Sequence, residues 1–370
     1  MENMFKRTLL GAAIATAAMA STGANAAIDL LDGKVQMYGQ AAGFVQYGMP
    51  KADKSDDTVL AVIESRIGFR GAVEFDNFAP TLLWQIEGGN ADNGGYNPEE
   101  SWKHVNNGAL GARDTFLGFQ FDGIGSFKYG RQLVAAYNYV DWPHSNPGLG
   151  NVFDWNNDIG ASFEDRTNNN LRFDSANFGG FNVQATLSNM ATSTDNLAYS
   201  IAASYSADMF SVHAGYYNNG ADKSTTTVKE QLDKDGFVEE VKTTTIDNTG
   251  SQYSIVGGSL FLGDITLTAA GKYMTTDVAL GTNSQWAWST TAQYVYNGQW
   301  VYKVGYAGTS EADIAGKGKQ ADTEDTAITA RLGYLLPSAY LFTDIRHYNM
   351  NGGTESGDST NLLMGVEYYF

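Results

Sequence analysis

Hydrophobic and polar residues alternate with a period of two along most of the chain. In residues 63–75 the apolar side chains share one parity, and Glu64 and Arg66 lie on the other. The same alternation recurs in residues 299–308 and 326–336. Such a period predicts β-strands that are apolar on one face only. A soluble β-sandwich, whose apolar face points into a core, produces the same pattern.

Sixteen segments of this kind can be counted. An even number of antiparallel strands can close into a barrel without a free edge. A membrane requires such closure, because backbone groups that face lipid cannot be left unpaired. A 16-stranded barrel also leaves a water-filled lumen. The strands are predicted to begin near Val35, Val59, Pro80, Arg113, Gly125, Asn169, Phe181, Leu197, Met209, Ser251, Ile265, Ser284, Gln299, Thr326, Ala339 and Thr360.

The connections between these strands alternate in length, which separates a membrane barrel from a sandwich. Outer-membrane barrels have tight turns on the periplasmic side and long loops outside. Aromatic residues near strand ends match their interfacial girdles, as does the terminal Phe370. We therefore expect an all-β, transmembrane, antiparallel β-barrel of 16 strands. The long loops cover residues 87–111, 132–165, 218–250 and 308–325, and the aromatic residues include Tyr47, Tyr216, Tyr217, Tyr294, Tyr296, Trp300 and Tyr340.

The amino terminus has the three parts of a secretory signal. Lys6 and Arg7 form a basic start, residues 9–20 form an apolar run, and residues 24–26 (ANA) form a cleavage site of small residues. The apolar run is shorter than the roughly 20 residues that a transmembrane helix needs. We expect residues 1–26 to be a signal peptide and residues 27–370 to form the exported barrel.

Composition argues against several classes of function. The 370 residues carry a formal net charge of −18, whereas a protein that binds nucleic acid needs a basic face. The chain has no Cys, which excludes disulfides, thiolate metal sites and a cysteine nucleophile. Asp233 and Asp235 lack the spacing of an EF-hand, because Gly236 comes too early. We expect no cofactor, no metal site and no nucleic-acid partner.

An enzyme is the main alternative class, since some outer-membrane barrels carry hydrolytic sites. The four histidines are His104, His144, His213 and His347. His213 shares a parity with Ser211, but no acid is adjacent in that run, so a Ser-His-Asp set is not indicated. We interpret each histidine as a solvated polar residue and expect no catalysis. A purely structural or adhesive barrel is a third class, which would conduct no ions.

Several segments resemble the general diffusion porins of Gram-negative outer membranes. The resemblance spans the mature chain and is most specific in the run GSFxYGR. It implies a trimeric, water-filled barrel whose third long loop folds into the lumen, where acidic groups on the loop face a row of arginines on the wall. The segments are residues 35–39 (VQMYG), 65–71 (SRIGFRG), 113–119 (RDTFLGF), 125–131 (GSFKYGR) and 367–370 (EYYF).

Carried over by position, the resemblance implies a wall row of Arg66, Arg113 and Arg166, with Arg172 close behind. Gln40 departs from the family, since it stands where the family has a wall lysine. The third loop departs as well, because residues 147–151 (PGLGN) lack the glutamate of the family's loop motif. The acidic side of the constriction must therefore come from other residues, among which the sequence does not choose: Asp141, Asp154 and Asp158.

The resemblance also implies a contact between subunits of a homotrimer. Arg131, just before the third loop, is expected to face the second loop of a neighbouring subunit. Glu99 and Glu100 in that loop are its candidate partners.

Independently of the resemblance, charged residues on the polar parity predict a charged lumen. A Lys or Arg facing lipid at the bilayer midplane costs about 2–4 kcal/mol, so these residues should face water. For Arg66, Arg113 and Arg166 we favour a role in the constriction, although the parity of Arg113 is ambiguous because Thr115 shares it. The residues for which we favour solvation of the channel, or pairing with acids of the wall, are Lys272, Lys303 and Arg331.

The sequence thus predicts an outer-membrane porin for passive diffusion of ions and small hydrophilic solutes, with a weak preference for cations. The acidic outer loops predict contact with divalent ions and lipopolysaccharide. The alternative is an oligosaccharide-specific channel, in which aromatic residues of the third loop form a track for sugar rings. We favour packing of these residues against the wall; they are Tyr137, Tyr139, Trp142, Phe153 and Trp155.

Overall fold

The computed structural model describes residues 27–51, 56–89, 110–141, 143–154, 156–190, 194, 197–220, 222–232, 238–248, 250–352 and 357–370, with the backbone alone in 222–232 and 238–248. The predicted signal peptide, residues 1–26, lies outside the described residues. So do Glu99, Glu100, His104, Trp142 and Trp155.

The described residues form strands and two helices of four residues each, α1 and α2. No helix in this part of the chain is both long and apolar enough to cross a membrane. In chain order the elements are β1 (Ile28–Asp29), β2 (Gln36–Pro50), β3 (Thr58–Ile63), β4 (Arg66–Phe75), β5 (Phe78–Gly89), β6 (Thr115–Phe121), β7 (Gly125–Leu133), α1 (Tyr137–Val140), α2 (Gly150–Phe153), β8 (Arg166–Ser175), β9 (Phe181–Ser188), β10 (Ala198–Ser206), β11 (Phe210–Asn218), β12 (Asp222–Leu232), β13 (Val238–Asn248), β14 (Ser251–Leu262), β15 (Ile265–Val278), β16 (Gly281–Tyr296), β17 (Trp300–Thr309), β18 (Ala312–Ile314), β19 (Gly318–Gln320), β20 (Thr326–Leu336), β21 (Ala339–Asn349) and β22 (Ser359–Tyr369).

The wall strands pair antiparallel around a closed ring. The first and last of them, β2 and β22, pair from Gln40 with Tyr369 to Pro50 with Ser359, and this pairing closes the barrel. Both β3 and β4 pair with β2, so together they occupy one position in the wall. Counted in this way, the described strands fill 16 positions, and the predicted fold class is confirmed. These positions are β2, β3 with β4, β5 to β11, β14 to β17, and β20 to β22.

The strand boundaries follow the predicted ones closely, with two informative differences. Strand β6 begins at Thr115, so Arg113 precedes the strand and the parity of β6 does not govern its side chain. The long loop of residues 218–250 contains a hairpin of its own, β12 with β13, which pairs with none of the other described strands. The alternation of apolar and polar residues in that hairpin is too weak to reveal it in the sequence.

The apolar faces of the strands point outward. In β17, Trp300, Tyr302 and Val304 are exposed, whereas the intervening Lys303 and Ala307 face inward and are buried. In a soluble sandwich the apolar face would be buried instead. The exposed apolar faces therefore exclude the sandwich and form the surface that a membrane barrel presents to lipid.

Two of the aromatic residues predicted for the girdles point into the barrel, so that prediction is wrong for them. Tyr217 is fully buried and stacks on Tyr253, with ring centroids 5.2 Å apart. Tyr340 lies on the same face of β21 as the buried Phe342 and packs beside Arg331. Because side chains alternate between faces, adjacent tyrosines such as Tyr216 and Tyr217 cannot both face lipid.

Candidate functional site

The long loop after β7, here called the lumen loop and counted from residue 134 to residue 165, folds into the barrel and is fixed to its inner wall. Its base is closed by the Val134 amide, which donates to the Asp165 carbonyl at 3.0 Å. The Ala136 amide donates to Ser200 Oγ on β10 at 2.8 Å. Farther along, Tyr348 of β21 donates from its hydroxyl to the Gly148 carbonyl at 2.8 Å. These bonds attach the loop to the side of the wall that runs from β10 to β21.

Apolar side chains of the lumen loop form a small core with that side of the wall. Seven loop residues in this core are fully or almost fully buried: Val134, Ala136, Val140, Leu149, Val152, Phe153 and Ile159. The wall makes room for them with small residues. A Cβ added to Gly305 would lie 2.7 Å from Leu149 Cδ1, closer than atoms pack. The loop therefore has a defined resting position against the wall.

Two arginines of the predicted row form ion pairs with acids near the top of the wall. Arg113 Nε lies 2.6 Å from Glu87 Oε1 on β5, and the second oxygen of Glu87 accepts a hydrogen bond from the Tyr38 hydroxyl at 2.8 Å. Arg166 Nε lies 2.5 Å from Asp114 Oδ1. The charges of both arginines are therefore compensated locally.

Arg66 differs from these two, because within the described part of the chain it forms no ion pair. Its Nε is buried and has no hydrogen-bond partner among the described residues. It nevertheless lies close enough to Arg113 for its charge to disfavour the charged form of that guanidinium, as the charge of Arg166 does. The three arginines are thus one electrostatic group, in which Arg66 carries the uncompensated charge.

Of the three candidate loop acids, the structure brings only Asp141 to this group. Desolvation inside the barrel raises the pKa of Asp141, and a hydrogen bond that its Oδ1 accepts from Ser145 Oγ at 2.7 Å opposes the rise. The positive charges of Arg66, Arg113 and Arg166 lower the same pKa. Asp141 follows α1 directly and its side chain is exposed to the lumen. The resulting arrangement has one carboxylate on the loop opposite three guanidinium groups on the wall.

Asp154 lies elsewhere, on the side of the loop that is fixed to the wall. Its backbone carbonyl accepts a hydrogen bond from Lys272 Nζ at 2.9 Å, and its Oδ1 is 3.9 Å from the same nitrogen. The Lys272 ammonium also lies over the rings of Phe163 and Tyr253, 5.0 and 4.8 Å from their centroids. Burial raises the pKa of Asp154, and the charge of Lys272 opposes the rise. This pair anchors the loop.

Asp158 lies at a third place, near the outer loops. Its amide donates to Gln285 Oε1 on β16 at 2.8 Å. Its charge acts on Asp325, whose carboxylate accepts hydrogen bonds from the Asn156 side chain and the Asn351 amide. Burial raises the pKa of Asp325 to about 6. These contacts tie the lumen loop to the loops before β20 and after β21.

The remaining basic residues of the prediction lie in separate clusters. Arg172 and Lys128 share Asp174, at 2.8 and 2.5 Å. Arg331 pairs through two nitrogens with Asp344, at 2.6 and 2.8 Å. Lys303 is directly opposite Arg331 in the pairing of β17 with β20 and faces inward as well.

Arg131 contacts its own subunit in this structure. Its Nε donates to the Ala112 carbonyl at 2.7 Å, and its Nη1 donates to Asn168 Oδ1 at 3.0 Å. The two glutamates named as its partners lie outside the described residues.

Sequence reasoning missed three acids that complete the site. Glu87 shares the inward parity of β5 with Gln85, so the alternation contains a signal for it. Asp114 follows Arg113 directly in the chain, but no pattern indicates that it pairs with Arg166. Asp165, at the base of the loop, has its pKa raised to about 6, mainly by burial, while the charges of Lys272 and Arg166 oppose the rise.

The interpretation of the histidines as solvated residues is wrong for His144 and His213. Both are buried, and their Nε2 atoms lie 3.0 Å apart across the contact between the lumen loop and β11. His347 is only partly exposed and its Nδ1 lies 2.8 Å from Thr360 Oγ1. Among the described residues, no group of three or more His, Asp or Glu is arranged to hold a metal ion.

The described aromatic residues of the lumen loop pack against protein. Tyr139 and Phe153 are buried against the wall. Tyr137 is partly buried and its hydroxyl donates to Asp154 Oδ2 at 3.2 Å. None of these three presents an open ring face along the loop comparable to a sugar track. Trp142 and Trp155 lie outside the described residues.

Comparisons with known proteins agree with this fold. A family model for Gram-negative porins matches residues 11–368. A chitoporin from Vibrio furnissii is 35% identical over 343 residues, which cover 88% of this chain and 88% of that protein. The trimer form of in-vitro folded OmpT from Vibrio cholerae has a TM-score of 0.65 and 18% identity, covering 91% of this chain and 99% of that chain. An anion-selective porin from Comamonas acidovorans has a TM-score of 0.67 and 15% identity, with the same coverage.

Proposed function

Because the chain belongs to the Gram-negative porin family and is a protein of the outer membrane, we propose that it forms a water-filled channel. Ions and small hydrophilic solutes diffuse through this channel down their gradients. The observation that carries the proposal is the position of Asp141, on a loop inside a closed 16-stranded barrel and opposite Arg66, Arg113 and Arg166. Barrels of this size leave an aqueous lumen, and fixed charges at its narrow part select among ions.

We propose that these four residues form the constriction. Opposed positive and negative groups create a transverse field, which orients dipolar solutes and guides cations and anions along opposite walls. Arg172, near Asp174, would lie below the constriction and act on ions that leave the constriction. Diffusion of this kind breaks no covalent bond, so the proposal assigns no catalytic residue and no cofactor.

Ion selectivity in planar bilayers tests the constriction. The variant D141N removes the loop carboxylate, so the reversal potential in a salt gradient should shift towards anion preference. The matched control is D158N, which removes an acid of the same loop that lies away from the arginines. Equal shifts in both variants would refute the placement of Asp141 in the constriction. A purified protein that conducts no ions would refute the channel itself and favour a structural or adhesive barrel.

An oligosaccharide-selective channel is the second candidate function. It is supported by the 35% identity with a chitoporin over most of both chains. Against it, Tyr139 and Phe153 pack against the wall, so a sugar track would need other residues. Oligomers of N-acetylglucosamine that block the current in a saturable way, where maltose oligomers do not, would establish this function. Linear currents unaffected by either series would exclude it.

The expectations for assembly remain proposals. We propose a homotrimer, which is supported by the shared fold with a porin solved in trimer form, and outer loops that contact lipopolysaccharide. In the assembly Arg131 would approach Glu99 and Glu100 of a neighbour. We also propose that residues 1–26 direct export and are then removed. Trimers that dissociate on chelation of divalent ions would support the contact with lipopolysaccharide.

A further inference from the structure

The lumen loop and the wall meet through a pair of histidines. Nε2 of His144, in the loop, is 3.0 Å from Nε2 of His213, on β11. An imidazole nitrogen either donates or accepts, so this contact requires one ring to donate and the other to accept. Both rings are buried. The contact is therefore a hydrogen bond that exists only while one of the two Nε2 atoms lacks a proton.

This pair holds the loop on both sides of Asp141. On the amino-terminal side, the Tyr139 ring stacks on His213, with centroids 4.6 Å apart and planes inclined by 15°. On the other side, His144 and Ser145 donate their amides to the Asp141 carbonyl, at 2.9 and 2.8 Å. These short bonds transmit the position of His144 to Asp141. Tyr139, Asp141, His144 and Ser145 are thus linked to one another through the histidine pair and these bonds.

The wall is shaped around the pair. A Cβ added to Gly257 on β14 would lie 2.8 Å from Nε2 of His213 and 2.9 Å from Nε2 of His144. A larger residue at this position would therefore push the rings apart. From β16, Ser289 Oγ donates to the His144 carbonyl at 2.5 Å. Three strands together define where His144 sits.

We propose that His144 and His213 are positioning residues, whose hydrogen bond holds Asp141 opposite Arg66, Arg113 and Arg166 and thereby sets the ion selectivity of the channel. This inference rests on the proposed function, because the selectivity has meaning only in a conducting barrel. Neither histidine needs to touch a passing ion. Loss of the bond frees the segment that carries Asp141, and the loop then samples positions in which its carboxylate no longer faces the arginine row.

The bond weakens as the pH falls. Burial, together with the charges of His213 and Lys303, lowers the pKa of His144 to about 3. The titratable groups that face the pair are Lys303 on β17 and Tyr139 on α1. A released His144 would regain an ordinary pKa of about 6.5. Below about pH 6.5 the released ring binds a proton that the held ring does not, so acidification favours release.

Single-channel recording of matched variants tests the proposal. H144L and H213L abolish the bond, whereas H144Q and H213Q place an amide nitrogen or oxygen near the position of Nε2 and retain it. One lost hydrogen bond should raise the time spent in altered current levels by roughly fivefold. The leucine variants should show this change together with a reversal potential shifted towards that of D141N. The glutamine variants should restore wild-type behaviour.

Two further readouts separate positioning from general loosening. The double variant H144L/H213L should change the current no more than either single variant, because both remove the same bond. Wild type should show more time in altered current levels at pH 4.5 than at pH 7. H144Q/H213Q should keep the loop in place and lack this increase, since amides do not titrate there. Heat-modifiable mobility on gels confirms in each case that the barrel is folded.

The outcomes distinguish this inference from the proposed function. Leucine variants that conduct with wild-type selectivity and wild-type current levels would overturn the positioning role and leave the channel intact. Additive effects of the two leucine substitutions would also overturn it. If the leucine variants do not fold, G257A, which crowds the pair without removing either ring, should produce the same altered levels, and a wild-type record from folded G257A would contradict the proposal. Absence of conductance in wild type would refute the channel instead.

Discussion

At the residue scale, the three arginines of the row differ in how far nearby acids already compensate their charge. Arg113 faces Glu87 and Arg166 faces Asp114, at 2.6 and 2.5 Å. Arg66 has no such partner among the described residues. Long-range electrostatic effects depend on net charge, so in the proposed constriction the row would act on a passing ion mainly through Arg66. The family resemblance alone treats the three residues as equivalent.

This difference predicts the signs of two charge changes. R66Q should increase cation preference, because it removes the uncompensated positive charge. E87Q should increase anion preference, since it removes a negative charge from the wall and no longer offsets the charge of Arg113. Reversal potentials in a salt gradient measure both shifts, and Q85E, which adds an acid on the same face of β5, should shift the potential opposite to E87Q. An unchanged reversal potential in E87Q would show that Glu87 does not offset the charge of Arg113.

The pH dependence of selectivity follows from the acids of the lumen loop. Burial raises the pKa of Asp165 to about 6 and raises that of Asp154 as well. Each carboxyl group is charged well above its raised pKa and neutral well below it, so acidification removes negative charge from the lumen. Cation preference should therefore fall as the pH is lowered from 7 to 5. D165N should reduce this step and D154N/D165N should reduce it further, leaving only the part that comes from the histidine pair. A full step in the double variant would assign it to other groups.

At the element scale, the lumen loop is positioned by the wall more than by its own secondary structure. Its two helices have four residues each and no side-chain caps, and such short helices are unstable in isolation. Backbone groups of the loop bond instead to side chains on the wall, such as Ser200 and Gln285. Small wall residues, Gly305 among them, let the loop approach closely. The loop and the inner wall therefore form one packing unit.

Filling the space at Gly305 should disturb this unit. G305V would drive a side chain into Leu149, and overpacking of this kind costs typically about 1–3 kcal/mol. The free energy of unfolding, measured in urea by loss of heat-modifiable mobility, should fall by that amount, and open-channel noise should increase. G271V is the matched control, because a Cβ at Gly271 meets no atom within 4 Å. Equal losses in the two variants would point to a general effect of β-strand glycines.

At the scale of the whole molecule, a negative mean hydropathy of −0.29 coexists with an apolar outer surface. The two are compatible because apolar residues occupy only every second position of each strand, and polar residues occupy the inward positions and the loops. Closure between β2 and β22 removes the free edges that lipid would not tolerate. The fold thus follows from the two environments of the wall, lipid on its outer face and water on its inner face.

A charge on the outer surface should therefore be costly. Val304 is 56% exposed and central in β17. V304R should lower the free energy of unfolding in a lipid bilayer by about 2–4 kcal/mol, as expected for arginine near the bilayer midplane. V304L, which keeps the site apolar, serves as the control. A V304R variant as stable as V304L in bilayers would show that this position faces protein or water.

The sequence by itself determined the barrel and most of its strand boundaries. Thr326, Ala339 and Gly125 were expected near the starts of strands and begin β20, β21 and β7. A local pattern was sufficient for this because strand alternation and turn residues act over a few positions. The parity of Lys272 and Arg331 likewise predicted that both face inward.

Only the tertiary structure decided which charges meet. Asp141, Asp154 and Asp158 are indistinguishable as loop acids in the sequence, yet they lie beside the arginine row, beside Lys272 and beside Asp325. Their separation depends on where a long loop contacts strands that are distant in sequence. The pairing of His144 with His213 has the same origin. Periodicity records which face a residue occupies, but a contact between a loop and a wall depends on the three-dimensional path of the loop, which no local pattern encodes.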